Sequence, residues 1–414
     1  MTAIADKTPM TLRRNRDFGL LWVGAGFSFL GSRVTALVYP MLVLWSSGSK
    51  TTAGLIGFTA LLPQLLMQLP AGAYVDRFDR RRLMLVCELG CVLALGSLAI
   101  PVATGRLWMP HLFAVAFIEG SLLVFYQLAE RSAVPHLVVA EQLGAAYSRN
   151  EARTRGAAMI GQPTGSGLFA VGNAIPLVFS VGAHLVSLVS LLGIRTRFQV
   201  ERGTPPADVR SEIADGLSWL WRQRFLRTVM LVLAGTNMLY QMLVFALLPL
   251  FRDEGRPKGL VGVVLACSAV GGLLGALTAT KWMRVWSLRR ILLVGTMVWA
   301  IVTPLLAAAH NVFAMGAVFA ASGYVGGVFN VPAIVYVMRI TPPTMQGRVS
   351  SVANLVSSGA MALGWVAAGL LLTTLTPRQG IAAIGAAMAL MAVFAMLSPA
   401  IRGADGAAET EPLA

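Results

Sequence analysis

Gly72-Ala-Tyr-Val-Asp76-Arg77-Phe78-Asp79-Arg80-Arg81-Arg82 is the stretch on which the fold turns. It places two acids and four arginines between two long apolar runs, Thr51 to Val75 and Leu83 to Thr104. A helix needs about 20 mostly apolar residues to cross the hydrocarbon layer. Each flanking run is long enough, so the charged segment is a short turn held at one membrane face.

The same reading extends to the rest of the chain. Runs of spanning length also cover Phe18 to Trp45, His111 to Leu128, Gly144 to Gly172 and Ile175 to Ile194. They resume at Val229 to Phe251, Leu260 to Ala279, Ile291 to Ala309, Phe313 to Met338, Val349 to Thr374 and Gly380 to Leu397, twelve in all. The fifth carries Arg149, Glu151, Arg153 and Arg155 in its first half. Run length selects helices over strands. Composition excludes a soluble chain: of 414 residues, 56% are hydrophobic and 12% charged, with a mean hydropathy of +0.71.

The net charge of +15 raises the question of a nucleic-acid partner. The basic residues instead fall on alternate loops, 26 on one side against 6 on the other, with Arg33 inside the first span completing the 33. That asymmetry is the positive-inside pattern. It predicts cytoplasmic termini and no nucleic-acid partner. Residues 1–17 are polar and basic, and the apolar run after them is too long for a signal-peptide core, so the first span is expected to be retained. Cys87, Cys91 and Cys267 lie in spans and read as small hydrophobes, with no disulfide framework and no metal site.

The spans divide six and six. The expected organisation is an N-terminal bundle over 1–194, a cytoplasmic linker over 195–228 and a C-terminal bundle over 229–414. Within the linker, Asp208 can cap a helix with apolar positions Val209, Ile213, Leu217, Leu220 and Trp221. Two six-helix halves of parallel orientation suit a transporter that alternates access to a central site.

The loop after span 2 resembles the signature G-x-x-x-D-R-x-G-R-R of the major facilitator superfamily. Gly72, Asp76, Arg77, Arg80 and Arg81 match, and Asp79 stands where the pattern has glycine. The DRxDRRR form is similar to the enterobactin-exporter-type, drug-efflux branch. So are Leu12 to Trp22, Glu130-Arg131-Ser-Ala-Val-Pro135 and Gln346 to Asn354. The resemblance covers all twelve spans and implies an all-α membrane protein of two six-helix bundles, monomeric and without a cofactor. Asp76 at the end of span 2 is expected to form a conformational latch with Arg131 and the start of span 11. Arg80 to Arg82 serve either that latch or topology alone. Span 5 resembles the G-P-x-x-G-G segment of exporters through Pro163 and Gly167, which supports either export or close helix packing.

A charge in the hydrocarbon centre costs roughly 2.5–3.5 kcal/mol on the insertion scale and marks function. Arg33 and Glu119 lie about 22 Å and 21 Å of helix rise from the same face. They are expected to pair and to carry the coupling proton, or to form a structural ion pair. Glu88 is expected to pair with nearby arginines, and His184 to pack as an isolated neutral ring. Tyr126, Gln127, Asn237, Tyr240, Gln241, Tyr324 and Asn330 are candidates for a substrate cavity, each of which also fits an interhelical hydrogen bond. No Walker A loop, H-E-x-x-H pair or nucleophile elbow is present.

The expected function is therefore non-enzymatic: secondary active export of a small amphipathic molecule across a bacterial-type inner membrane, in exchange for protons. The alternatives are an importer or uniporter of a small metabolite and, from another class, a membrane sensor or polytopic enzyme.

Overall fold

The computed structural model describes residues 12, 14–196, 198, 217–342 and 345–402. Among the described residues, twelve helices of 18 to 32 residues occur: α1 (Arg16–Ser47), α2 (Lys50–Arg77), α3 (Arg80–Ala103), α4 (Met109–Leu137), α5 (Leu143–Val171), α6 (Ile175–Leu192), α7 (Arg224–Asp253), α8 (Leu260–Val285), α9 (Leu288–Ala308), α10 (Val312–Ile340), α11 (Gln346–Thr374) and α12 (Pro377–Leu397). A short α13 (Pro399–Arg402) follows. At 1.5 Å per residue the shortest of the twelve is about 27 Å long, close to the hydrocarbon thickness. Among the described residues, ten of the twelve are apolar enough to cross a membrane; α2 and α5 are the others. The charges in the first half of α5 account for its lower hydropathy.

Local chemistry fixes the helix ends. Asp79, in place of the glycine, has φ −60° and accepts from Arg82 N at 2.9 Å, so it caps α3. The turn needs no left-handed residue there. Ser287 and Asn311 cap α9 and α10 in the same way, and Thr376 with Gln379 makes a capping box on α12. Gly48, Gly105 and Gly255 take φ of 72°, 70° and 64° in the turns after α1, α3 and α7, a region where a side chain would be strained.

The chain forms two compact units, Met1–Tyr39 with Leu62–Pro205 and Pro40–Leu61 with Pro206–Ala414. The end of α1 and the start of α2 thus belong to the second unit, and the division in α1 falls at Pro40, where a helix loses a backbone hydrogen bond. In the first unit α3 packs on α4 and α6. The α1 helix fits against α6 at Gly24 and Gly31 and against α5 at Gly161 and Gly165. In the second unit α8 pairs with α10, α9 with α12 and α7 with α11. The beginning of α2 lies on α11, where Gly54 leaves room for the Trp365 carbonyl and Gly369 for the Lys50 carbonyl.

Large apolar side chains stay uncovered on outward faces, among them Ile100 at 70% and Leu390 at 71% exposure. Such surface is costly in water and at home in lipid. The protein is a multi-pass membrane protein. Of the linker, residues 217–222 are described as helix, with Leu220 buried and Trp221 exposed, and residues 224–228 already form the start of α7. The expected cap at Asp208 and the positions Val209 and Ile213 lie outside the described residues.

Candidate functional site

The first unit buries three ionisable groups together in its apolar interior: Glu88 of α3, Glu119 of α4 and His184 of α6, each at most 3% exposed. His184 Nδ1 pairs with Glu88 Oε2 at 2.7 Å. Ser187 Oγ donates to Glu88 Oε1 at 2.9 Å and shares a 3.1 Å hydrogen bond with the Tyr126 hydroxyl. On the other side, Thr35 Oγ1 donates to Glu119 Oε1 at 2.8 Å, and the Tyr39 hydroxyl donates to Glu119 Oε2. His184 Nε2 lies 3.9 Å from Glu119 Oε1 and has no hydrogen-bond partner among the described residues.

Helical spacing explains this convergence. Thr35 and Tyr39 are four residues apart and share one face of α1. His184 and Ser187 are three apart on α6 and both address Glu88. The absence of a Cβ at Gly31 lets α1 approach α6 beside this point, with the place of a Cβ only 3.2 Å from Ala183 Cβ and 3.5 Å from His184 Nε2.

Three expectations are corrected here. Arg33 does not pair with Glu119: its side chain is exposed, its Cβ faces Gly161 of α5, and it has no ion pair among the described residues. Arg33 and Thr35 are two positions apart, so they point some 200° apart around α1, and matching depth does not make Arg33 and Glu119 neighbours. Glu88 bonds His184 and Ser187 instead of an arginine, and His184 is paired, not isolated.

Glu130, further along α4, forms a separate buried pair. Arg153 Nη2 lies 3.2 Å from Glu130 Oε1, and the guanidinium stands 5.5 Å from the Phe29 ring centre. Arg80 donates to the carbonyls of Ser132 and Phe198, each at 3.0 Å, and lies 2.5 Å from His136 Nε2. Arg81 donates to the Leu191 and Leu192 carbonyls at the end of α6. Both arginines therefore tie helix ends inside the first unit, where their charge also suits a helix C-terminus. Arg77 and Arg131 are exposed. Gly72 is half-buried near the end of α2, while the side chain of Asp76 lies outside the described residues, and the latch with it.

In α5, Pro163 sits inside the helix, and Gly161 and Gly165 make the close approach to α1, whereas Gly167 faces open space. The cavity candidates divide between the units. Tyr126 binds Ser187, Tyr240 binds Ser268 at 2.5 Å, and Tyr324 accepts from Thr278 and Trp282 at 3.0 and 2.9 Å. Gln127 and Asn237 are partly buried, Gln241 is buried and Asn330 is exposed, with no hydrogen bond to their side chains among the described residues. No group of three metal-ligating side chains occurs among the described residues.

The same arrangement of helices recurs in solved transporters. A bacterial homologue of the human lysosomal transporter Spinster superposes with a TM-score of 0.76 at 14% identity, over 94% of this chain and 98% of that one. The nucleoside transporter NupG gives 0.75 at 12% identity, over 93% and 99%. The fold is that of the major facilitator transporters. More narrowly, the chain belongs to the transmembrane secretion effector family (MFS_3) of that superfamily, whose model matches residues 7–412. It is a membrane transporter and not an enzyme. It is 28% identical over 403 residues to the multidrug efflux pump Tap of Mycolicibacterium fortuitum, covering 94% of this chain and 96% of that protein. It is also 25% identical over 270 residues to macrolide efflux protein A of Streptococcus pyogenes, covering 63% and 65%.

Proposed function

We propose that this protein exports a small amphipathic molecule, such as a drug, an antibiotic, a siderophore or another secondary metabolite, by proton antiport and alternating access. The names of its relatives support export. The observation that carries the proton reading is Glu119, a carboxylate buried in the membrane-spanning interior and held by two hydroxyl donors and a nearby imidazole. A carboxylate that deep is stable charged only while those partners hold it, and stable neutral once protonated. Its proton occupancy therefore follows the side to which it is open. A membrane voltage contributes about 2.3 kcal/mol per charge per 100 mV, enough to drive cargo uphill when one proton enters per cycle.

The distribution of basic residues supports cytoplasmic termini in an inner membrane. The chain works as a monomer, and Asp76 with Arg77 and Arg131 biases its conformational equilibrium. The half-buried amides and exposed Asn330 are offered as cargo contacts.

The test is efflux of a panel of lipophilic dyes and antibiotics from pump-deficient bacteria at matched expression. The native chain lowers accumulation of a panel member, and an uncoupler restores it. Glu119→Gln abolishes this, and Asp76→Asn weakens it. Uncoupler-sensitive efflux at the native rate in Glu119→Gln would sink the carrier assignment.

A further inference from the structure

The Glu119 carboxylate is not the end of the buried chain. We infer that Glu119, His184 and Glu88 form a proton relay inside the first unit, with the imidazole passing a proton between two carboxylates. This deepens the antiport reading and rests on it.

His184 bridges two acids that enter from opposite ends of an antiparallel helix pair. Glu88 lies about 12 Å of rise from the start of α3, and Glu119 about 15 Å from the start of α4. The Nδ1 atom of His184 is engaged with Glu88 at 2.7 Å. Its Nε2 atom is buried, without a hydrogen bond among the described residues, and 3.9 Å from Glu119. A buried ring nitrogen left unbonded costs free energy in this state, and a second state that bonds it would relieve that cost. The geometry supplies that state: a shift of about 1 Å brings Nε2 within hydrogen-bond reach of Glu119.

The transfer balances. Protonated Glu119 gives its carboxyl proton to Nε2, breaking O–H and forming N–H. The Nδ1–H bond breaks, and its proton forms O–H on Glu88 Oε2. The products are a Glu119 carboxylate, a neutral imidazole in its other tautomer and protonated Glu88, with no change in total charge. Ser187 and Tyr126 extend the line of hydroxyls beyond Glu88.

The other titratable groups facing the cluster are Cys87 and Cys91 on α3, Tyr39 on α1 and Tyr126 on α4. No arginine or lysine forms an ion pair with Glu88, His184 or Glu119 among the described residues. No permanent positive charge paired to the cluster therefore fixes its proton load.

Infrared difference spectroscopy of the full chain in lipid vesicles, without cargo, tests this by following protonated carboxyl groups against pH. In the native protein, Glu119→Gln displaces the titration of Glu88 by more than about one pH unit, the threshold for coupled sites, and Glu88→Gln displaces Glu119 equally. Adding His184→Gln reduces the displacement to the part left by direct repulsion between the two carboxylates. Carboxyls that titrate independently in the native protein, or a displacement undiminished by His184→Gln, overturn the relay. Should His184→Gln not fold, the two glutamate variants decide alone, through the presence or absence of the displacement.

In cells, uncoupler-sensitive efflux of the panel falls at least about tenfold in His184→Gln, and native-rate efflux in that variant also overturns the relay. If the carboxyls are coupled but efflux by the native chain ignores the uncoupler, the antiport reading fails instead. Proton sharing then stands without a transport role.

Discussion

Among single residues, the contrast between the two buried acid sites of α4 is informative. Glu119 keeps hydroxyls and an imidazole around it, so it can hold or lose a proton without stranding a permanent charge. Glu130 faces a guanidinium, both side chains at most 4% exposed, and a guanidinium stays charged at any physiological pH. Glu130 therefore belongs to the architecture of the inner part of the first unit. Removing one member of a buried pair leaves the other charge uncompensated, at a cost of about 3–5 kcal/mol. Glu130→Ala is expected to lower the unfolding temperature of the purified protein sharply. A joint Glu130→Met, Arg153→Met replacement recovers most of that loss, and thermal unfolding in detergent at fixed pH checks both.

Helix pairs show how little space the packing leaves. The contact between α8 and α10 is a double small-residue seam, Gly271 and Gly275 against Gly323 and Gly327. A Cβ at Gly275 would overlap the Tyr324 carbonyl and stand 3.0 Å from Val328 N, and one at Gly323 would overlap the Ser268 carbonyl. Backbone cannot swing aside as a side chain can, so the two helices must separate. Gly275→Ala is expected to destabilise by about 1–3 kcal/mol, as overpacking does. Gly326→Ala is the control: its Cβ would meet only the Trp299 ring at an ordinary 3.6 Å. Equal unfolding temperatures for the two variants would show that the seam is not close-packed. The repeated small-xxx-small spacing was available in the sequence as a signal for this pair.

For the whole molecule, 26 basic residues against 6 on alternate loops predict one orientation. Reporter fusions or cysteine labelling at the two termini are expected to find both in the cytoplasm. A terminus on the outer face would contradict the inside-positive assignment and reverse the direction along which the buried relay is read. The divisions at Pro40 and Leu61 add a further feature, since α1 and α2 each contribute residues to both compact units.

The sequence by itself determined the class and the helix count. Spanning a membrane requires long apolar runs, and that requirement is one-dimensional: length, hydropathy and loop charge can be counted along the chain. It also marked Glu119, because an acid within an apolar run is visible without coordinates. Only the tertiary structure decided the partners. Arg33 and Glu119 agree in depth, but depth fixes one coordinate of a side chain and leaves its azimuth about the helix open. Helix rotation turned Arg33 away and brought Thr35, Tyr39 and His184 to the carboxylate. Glu88 and His184 lie 96 residues apart in the chain and meet because α3 and α6 pack face to face. No local pattern encodes such a pairing, since it depends on the register between two helices and not on the residues of either one alone.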